Sequence, residues 1–337
     1  MSDDAVRIGV IGAGAVAQVA HLATLPKLKR VEIVALCDND LAKARALASR
    51  VGIPEVYDDM VDLLRMAQPD AVAVCTPNHL HEVHVVSALE AGAHVLCERP
   101  VALTVAGVER IRAVRERTGR FVLVGMNHRF RRDVQAAVSF LEGGELGDLT
   151  AIRCGWYMFR PIGPELGWRS FREQSGGGAV LDLGVPLIDL ALWVGGSPPV
   201  KTVAAHLTPG ADEHAVEDAG CVLIGCEGGL SIFVDVSWRH VGDEEKVWFE
   251  LIGSRGSAKL GPLRVFKDLH GTPVDVTPTG AHSRENVISG SYRAEWAHFL
   301  AAVRGEIAPP ELDEHLALHR VLEAIGRSHE EGHEIQL

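Results

Sequence analysis

The N-terminal part of the chain alternates short apolar runs with longer stretches in which apolar residues recur at helical spacing. Strands that alternate with helices are typical of βαβ units, which build a parallel sheet with helices on both faces. We therefore predict an α/β domain with a doubly wound parallel sheet over residues 1–124. Its predicted strands lie at 6–11, 31–36, 71–75, 94–97 and 121–124.

Beyond residue 125 the runs lengthen, and several alternate apolar with polar residues. Such alternation is typical of antiparallel strands in a sheet with one covered face. We predict a second domain of α+β class, with a mainly antiparallel sheet, over residues 125–337. The Gly- and Pro-rich segment 161–178 is expected to border a ligand pocket. Strand-like runs fall at 150–158, 202–207, 220–226, 230–238 and 247–252, and helical patterns at 133–141, 181–194, 292–304 and 312–330.

Length and charge narrow the range of partners. With 337 residues the chain is long enough for two domains, and its formal net charge of -12 disfavours nucleic acid and anionic membranes. The acidic N-terminus, Met1-Ser2-Asp3-Asp4, lacks the basic and apolar regions of a secretory signal. The longest apolar segment is interrupted by Asp182 and Asp189, which disfavours a membrane helix. We expect a cytoplasmic protein that acts on a small molecule.

The first predicted βα turn carries a dinucleotide-binding pattern. Residues 12–17 read Gly-Ala-Gly-Ala-Val-Ala, a G-x-G-x-x-A motif. Gly12 permits a tight turn, Gly14 lets the backbone approach a pyrophosphate, and Ala17 lets the helix pack closely on the strand. Ala15 and Val16 lie at the helix N-terminus, whose backbone N–H groups face the phosphates. The motif predicts a Rossmann domain that binds NAD or NADP.

Asp38 strengthens this prediction. It ends the second predicted strand, 24 positions after Gly14, where a carboxylate accepts hydrogen bonds from the adenosine ribose hydroxyls. The carboxylate favours NAD because it repels a 2′-phosphate, whereas Lys43 or Arg45 could reach such a phosphate and keep NADP possible. The alternative is a glycine turn that binds no ligand, with Asp38 as a helix cap.

Later motifs extend the pattern over nearly the whole chain. They read Thr76-Pro77-Asn78-His79-Leu80-His81, Glu98-Arg99-Pro100, Asn127-His128-Arg129-Phe130, Trp168-Arg169 and Asp182-Leu183-Gly184-Val185-Pro186, with the C-terminal segment Tyr292 to Phe299. Together with the first turn they resemble the glucose-fructose oxidoreductase, inositol dehydrogenase and rhizopine-catabolism (Gfo/Idh/MocA) family. The resemblance implies a Rossmann domain paired with an open-faced antiparallel sheet, and NAD(P)-dependent oxidation or reduction of sugars, cyclitols or their derivatives.

The resemblance also assigns residues to the site. Around the nicotinamide, at the carboxyl ends of the parallel strands, it places Thr76, Pro77, Asn78, His81, Glu98 and Arg99. As substrate contacts it suggests Arg129, Trp168 and Arg169, since guanidinium and aromatic groups suit polyols and carboxylates. We also expect Tyr157 and Asp182 to contact the substrate. Two structural alternatives stay open, namely Asn78 as the N-cap of a helix and Trp168 as core packing.

Two positions depart from the family pattern. Arg99 replaces the lysine of its E-K-P motif, and Pro186 replaces the histidine of its D-x-G-x-H motif. Lysine and histidine can exchange a proton near neutral pH, whereas arginine stays protonated and proline has no side-chain chemistry. We expect Arg99 to stabilise an oxyanion, which favours reduction. The predicted proton donor is Asp182, with Tyr157, His128, a water or the substrate itself as alternatives.

Each of these two assignments has a structural alternative. Asp182 could cap a helix that begins near residue 183, and Arg99 could pair with a neighbouring carboxylate. Loss of both proton-exchanging residues also fits a catalytically silent dinucleotide-binding sensor, and the same fold includes NAD-assisted glycosidases.

A metal is not expected, because among His79, His81 and His84 only the last two share a helix face. The open face of the implied sheet suggests a homodimer or homotetramer, since such a face is commonly buried between subunits.

Overall fold

The computed structural model describes residues 5–158, 164–210, 216–278 and 286–337, so positions 161–163 of the Gly- and Pro-rich segment lie outside the described residues. The chain forms two compact units, Met1–Asn127 with Ile288–Leu316 and His128–Val287 with Ala317–Leu337. From the sequence, the second domain was predicted to begin at residue 125 and to contain every later residue. The structure instead returns residues 288–316 to the first unit.

Six parallel strands form the sheet of the first unit. They are β1 (Val6–Ile11), β2 (Val31–Cys37), β3 (Glu55–Tyr57), β4 (Ala71–Val74), β5 (His94–Glu98) and β6 (Val122–Gly125). Their order is β3-β2-β1-β4-β5-β6, so the chain winds outward from the middle of the sheet in both directions. This confirms the doubly wound parallel sheet. The winding reverses between β1 and β4, where such sheets bind ligands beyond the carboxyl ends of the strands.

Helices join these strands. A π-helical turn (Ala17–His21) leads into α1 (Leu22–Thr24), followed by α2 (Leu41–Val51), α3 (Met60–Ala67), α4 (Asn78–Glu90) and α5 (Val105–Thr118). Polar side chains placed just before three of them supply the caps. Asp40 accepts a hydrogen bond from the N–H of Lys43 at the start of α2, and Thr104 accepts one from Gly107 at the start of α5.

A helix from the far end of the chain completes the first core. This helix, α9 (Val287–Val303), contributes Trp296 and Phe299, which are 0% exposed and share one apolar cluster with Ile8 of β1 and Leu96 of β5. Large aromatic side chains bury more apolar surface than most others. Their burial explains why the helical pattern predicted at 292–304 belongs to the first unit.

The second unit is α+β, as predicted. Its sheet has the order β14-β13-β12-β11-β7-β10-β9-β8-β15 and is antiparallel except between β7 and β10, which pair in parallel. The elements are α6 (Arg132–Glu142), β7 (Leu149–Tyr157), α7 (Arg172–Ser175), a π-helical turn (Val180–Gly184), α8 (Val185–Val194), β8 (Val200–Thr208), β9 (Ala219–Cys226), β10 (Ser231–Ser237), β11 (Lys246–Gly253), β12 (Gly256–Leu260), β13 (Arg264–Leu269), β14 (Thr272–Asp275), α10 (Asp313–Glu331) and β15 (Ile335–Gln336).

The two faces of this sheet differ in burial. Ile152 and Cys154 on β7 are 0% exposed, and the residue between them, Arg153, is exposed. On the central strand β10, Ile232 and Val234 alternate in the same way with half-buried Phe233. One face of the sheet is therefore packed and the other is open.

The helical stretch Arg172–Val194 is apolar and long enough to cross a membrane by length and composition alone. Within the fold, 72% of its apolar window is buried. That degree of burial is typical of the core helix of a globular protein.

Candidate active site

Gly12 and Gly14 shape the turn after β1 for different reasons. Gly12 has a φ of +99°, and a Cβ there would lie 2.7 Å from the carbonyl oxygen of Cys75, so the protein itself requires glycine. At Gly14 the nearest atom to such a Cβ is 3.9 Å away, which leaves open space beside the helix start. Ala17 is 0% exposed at the first turn of that helix. The turn therefore fits a pyrophosphate, which needs close backbone approach at Gly14.

Asp38 follows β2 and is already surrounded by donors. Its Oδ2 accepts a hydrogen bond from the N–H of Ala13 at 2.7 Å, and its Oδ1 accepts one from the N–H of Asp40 at 3.0 Å. The ammonium of Lys43 lies 2.9 Å from Oδ1. Burial opposes ionisation of Asp38, but these contacts outweigh it and lower the pKa of the carboxyl. Asp38 is thus a fixed acceptor with a cation beside it.

The turn after β4 carries the predicted nicotinamide residues. Pro77 occupies the N-cap position of α4 without a side-chain cap bond, and Asn78 is the first helical residue, so the expected N-cap role of Asn78 is wrong. The ring nitrogens of His81 lie 2.6 Å from the carbonyl oxygen of Pro100 and 2.7 Å from that of Thr76. His81 is 1% exposed. It serves the site by joining the turns after β4 and β5, not through an exposed ring.

Glu98, at the end of β5, is held by side chains that were not predicted to be its neighbours. Trp296 donates its Nε1–H to Nδ1 of His21 at 3.0 Å, so Nε2 of His21 donates to Glu98 Oε1, also at 3.0 Å. Burial opposes ionisation of Glu98, but the His21 bond and the charge of Arg99 keep its pKa below the ordinary value. Tyr292 packs its ring edge-on against His21, with the centroids 5.6 Å apart.

Arg99 is partly buried directly beyond β5. Its guanidinium makes no hydrogen bond or ion pair with any residue that the structure describes. The alternative interpretation, in which Arg99 pairs with a neighbouring carboxylate, therefore finds no such pair.

In the second unit, Asp182 lies among Trp168, Arg169 and Trp238. Trp238 donates its Nε1–H to Asp182 Oδ2 at 3.1 Å, and Arg169 Nε lies 3.7 Å from Oδ1. The Arg169 guanidinium stacks over the Trp168 ring at 4.5 Å. The π-helical turn begins at Val180, two residues before Asp182, so the expectation that Asp182 caps a helix near 183 is wrong. We call these four side chains the Asp182 cluster.

Tyr157 belongs to a different face of the sheet. Along β7 the buried residues Ile152 and Cys154 share a face with Trp156, and Tyr157 points to the opposite side. There its hydroxyl donates to Asp235, and its ring contacts Trp248 at 4.9 Å between centroids. Val180, in the Asp182 turn, packs against Gly220 of β9, which lies opposite Val236 on the buried face. Tyr157 and Asp182, both predicted to bind substrate, are therefore not brought together by this sheet.

Arg129, another predicted substrate contact, has a structural partner. Its Nε and one terminal nitrogen donate to the two oxygens of Asp189 at 2.8 and 2.6 Å, and Asp189 is 3% exposed. The guanidinium also lies 5.7 Å from the centroid of the Trp193 ring. Such a bidentate pair ties the residues after β6 to α8.

The histidines of α4 remain separate. His84 Nδ1 lies 3.0 Å from the hydroxyl of Thr76, whereas His81 is turned to backbone carbonyls. Across the described ranges of the chain, no group of three His, Cys, Asp or Glu side chains is placed to hold a metal ion.

Two family models match the chain. One, described as "Oxidoreductase family, NAD-binding Rossmann fold", matches residues 6–126, and the other, described as "GFO/IDH/MocA C-terminal domain", matches residues 134–259. Together they span well over half of the chain and both of its units.

Curated relatives and a solved structure agree with these matches. D-glucoside 3-dehydrogenase of Escherichia coli (strain K12) is 30% identical over 294 residues, which cover 80% of this chain and 81% of that protein. Inositol 2-dehydrogenase 1 of Saccharopolyspora erythraea is 29% identical over 341 residues, which cover 98% of this chain and 96% of that protein. The crystal structure of GenD2 from gentamicin A biosynthesis in complex with NAD has a TM-score of 0.86 and 25% identity, and the match covers 99% of this chain and 97% of that one.

Proposed function

Because the chain belongs to the Gfo/Idh/MocA family of NAD-dependent oxidoreductases, we propose that it interconverts a secondary alcohol and a ketone on a sugar, cyclitol or related polyol. The observation that carries the proposal is the turn after β1, where Gly12 is required by the protein and Gly14 leaves room for a ligand. The names of the two curated relatives, a glucoside dehydrogenase and an inositol dehydrogenase, support the substrate class.

Residues of the first unit would hold the cofactor. The turn at Gly12 and Gly14 suits the pyrophosphate, and Asp38 suits the adenosine ribose. Thr76 and Glu98 lie at the carboxyl edge of the sheet, where the nicotinamide would lie. When bound, the nicotinamide supplies or accepts the hydride of the reaction.

Arg99 supports a preference for reduction. Its guanidinium has no partner among the described residues, so its donors are free to bind a carbonyl oxygen as negative charge develops there. It cannot accept the hydroxyl proton that alcohol oxidation releases, because a guanidinium keeps its own proton in proteins and has no acceptor site. We therefore assign Arg99 to oxyanion stabilisation.

The Asp182 cluster supports recognition of a polyol by the second unit. It combines a carboxylate acceptor, a guanidinium donor and an indole face, the three kinds of group that bind sugar hydroxyls and CH faces. Asp182 already accepts a hydrogen bond from Trp238, and Arg169 Nε lies 3.7 Å from its other carboxyl oxygen. These contacts favour the substrate-binding part of its predicted role over proton donation.

The open face of the second sheet supports self-association as a homodimer or homotetramer. Leu223 on β9 is 48% exposed and lies directly opposite half-buried Phe233 on β10. Exposed apolar pairs of this kind favour burial against a second copy. Analytical sedimentation should show an oligomer for the wild type and a smaller species for Leu223→Lys. A monomeric wild type would exclude self-association through this face.

The proposed reaction can be tested with matched alcohols and ketones. NAD is supplied with methyl β-D-glucoside or myo-inositol, and NADH with methyl 3-keto-β-D-glucoside or 2-keto-myo-inositol. We expect turnover with at least one pair, and a higher kcat in the reductive direction. Arg99→Lys should restore a group that can exchange a proton and so shift the balance toward oxidation.

Controls separate the competing functions. Asp182→Asn keeps an acceptor for Trp238 but removes the carboxylate that would bind the substrate. It should therefore raise the KM for the substrate while the Kd for NADH stays unchanged. NADH binding without turnover of any probe would favour a sensor. Release of an aglycone from an aryl glucoside without net NADH formation would favour a glycosidase.

A further inference from the structure

Reduction of a ketone needs a proton donor as well as a hydride. Arg99 keeps its proton and Pro186 has no side-chain chemistry, so neither of them supplies that proton. Given the proposed function, on which this step rests, another group of the chain must supply the proton.

Tyr292 stands next to the assigned nicotinamide residues. It lies on α9, the helix that returns to the first unit, and its ring meets that of His21 at an interplanar angle of 72°. His21 is 0% exposed and is bonded on one side to Trp296 and on the other to Glu98. The ring of Tyr292 is therefore supported by a side chain that is itself fixed beside the end of β5.

The hydroxyl of Tyr292 is available, unlike those of the other two tyrosines. Tyr57 donates its hydroxyl proton to Glu55, and Tyr157 donates its own to Asp235. Tyr292 is partly exposed, and its hydroxyl has no hydrogen-bond partner among the residues that the structure describes. A half-buried phenol ordinarily finds a partner within the protein or from a ligand.

The charges around Tyr292 keep its proton in place. Burial raises the pKa of the phenol, and the nearby carboxyl groups of Glu98 and Glu295 raise it further. Arg99 acts in the opposite direction, while the Cys75 thiol adds to the increase. The net shift is upward, so the phenol keeps its proton near pH 7 until a stronger base, such as a developing alkoxide oxygen, lies beside it.

Arg99 and Tyr292 are suited to two different roles in ketone reduction. A guanidinium can bind a carbonyl oxygen but cannot usefully give up its proton, whereas a neutral phenol can. The positive charge of Arg99 also stabilises the phenolate that forms after the transfer.

We propose that Tyr292 is the catalytic acid of ketone reduction. The hydride adds to the carbonyl carbon, the C–O π electrons move to the oxygen, and that oxygen takes the proton as the Tyr292 O–H bond breaks. The products are the secondary alcohol, the oxidised nicotinamide and a tyrosine phenolate. The partly exposed phenolate then recovers a proton from water.

Three matched variants test this proposal, since the chain has three tyrosines. Tyr292→Phe removes only an unpartnered hydroxyl and should leave the melting temperature and the Kd for NADH unchanged. Its kcat for whichever keto probe the wild type reduces should fall by about 100-fold or more, as expected for loss of a general acid. Tyr57→Phe, on the short strand β3, should retain wild-type kcat.

Further readouts distinguish a chemical role from a positioning role. The wild type should show a solvent deuterium isotope effect on kcat, which Tyr292→Phe should alter because water then replaces the phenol as proton source. Wild-type kcat in Tyr292→Phe overturns the proposal, as does a loss of kcat confined to Tyr157→Phe. A wild type that fails to bind NADH contradicts the proposed function itself, before the role of Tyr292 is reached.

Discussion

The indole N–H of Trp296 donates to His21 at 3.0 Å across a separation of 275 residues in the chain. Because that bond fixes which nitrogen of His21 carries the proton, it also fixes the donor that His21 presents to Glu98. The orientation of the carboxylate at the E-R-P motif thus depends on a helix near the C-terminus. The same helix carries Tyr292, so the edge of the Rossmann sheet takes groups from both ends of the chain.

Substitution at the two glycines of the first turn should have separable effects. In Gly12→Ala the added Cβ meets the Cys75 carbonyl at 2.7 Å on a backbone with positive φ. We expect the free energy of unfolding to fall by about 1 to 3 kcal/mol. Gly14→Ala meets nothing closer than 3.9 Å and should fold normally but bind NADH more weakly. Urea denaturation and NADH fluorescence titration measure the two effects, and equal stability of both variants would contradict them.

Lys43 should set the preference between NAD and NADP. Its ammonium lies 2.9 Å from Asp38, so a 2′-phosphate would meet a cation beside the carboxylate that repels it. Lys43→Met should weaken NADP binding by about tenfold or more, the loss expected for a charged hydrogen bond, while NAD binding is retained.

Arg45 offers a control on the same helix. It is exposed and makes no hydrogen bond or ion pair with the part of the chain that the structure describes. Arg45→Met should leave the ratio of the NAD and NADP dissociation constants unchanged. If Arg45→Met changes that ratio and Lys43→Met does not, the phosphate contact belongs to Arg45.

Arg129 should be a stability residue. Arg129→Ala removes the bidentate partner of the Asp189 carboxylate, which is 3% exposed, and should lower the free energy of unfolding by about 3 to 5 kcal/mol. Arg264→Ala, which breaks the exposed pair with Asp275, should cost no more than about 1 kcal/mol. If Arg129→Ala is as stable as the wild type and has a raised KM for the substrate, Arg129 is a substrate contact and not a stability residue.

His84 should make stability depend on pH. Burial, together with neighbouring His81 and His79, lowers the pKa of His84 from 6.5 to about 4. Between these values the unfolded chain binds a proton that the folded chain does not, so stability falls as the pH drops through this window. Urea denaturation at two pH values, one above and one within the window, should show a smaller decrease for His84→Gln than for the wild type. Equal decreases would rule out the effect.

The sequence predicted the site best where its parts are local. The turn at Gly12 and Gly14 and the acceptor at Asp38 each depend on one strand end and the residues beside it, which a motif records directly. The same holds for five of the six strands of the first sheet. The exception is β3, which was not predicted because its three residues, Glu55 to Tyr57, carry too short a pattern.

Contacts between distant segments could not be predicted from one sequence. The helical pattern at 292–304 was recognised, but nothing in it tells which core it joins, so Trp296 and Tyr292 were missed as neighbours of Glu98. Tyr157 was grouped with Asp182 as an expected substrate contact and alternative proton donor, whereas strand alternation places it with Asp235 on the other face. The partner of Arg129 was missed for the same reason, since Asp189 is 60 residues away.

The central claim is that this chain transfers hydride between a nicotinamide dinucleotide and a ketone of the sugar or cyclitol class. Its most direct test is incubation with NADH carrying deuterium at nicotinamide C4 and methyl 3-keto-β-D-glucoside or 2-keto-myo-inositol. Mass spectrometry should find deuterium on the newly formed carbinol carbon, from one of the two C4 epimers of the labelled cofactor and not from the other. NADH that binds tightly while neither epimer delivers deuterium to either ketone would contradict the account.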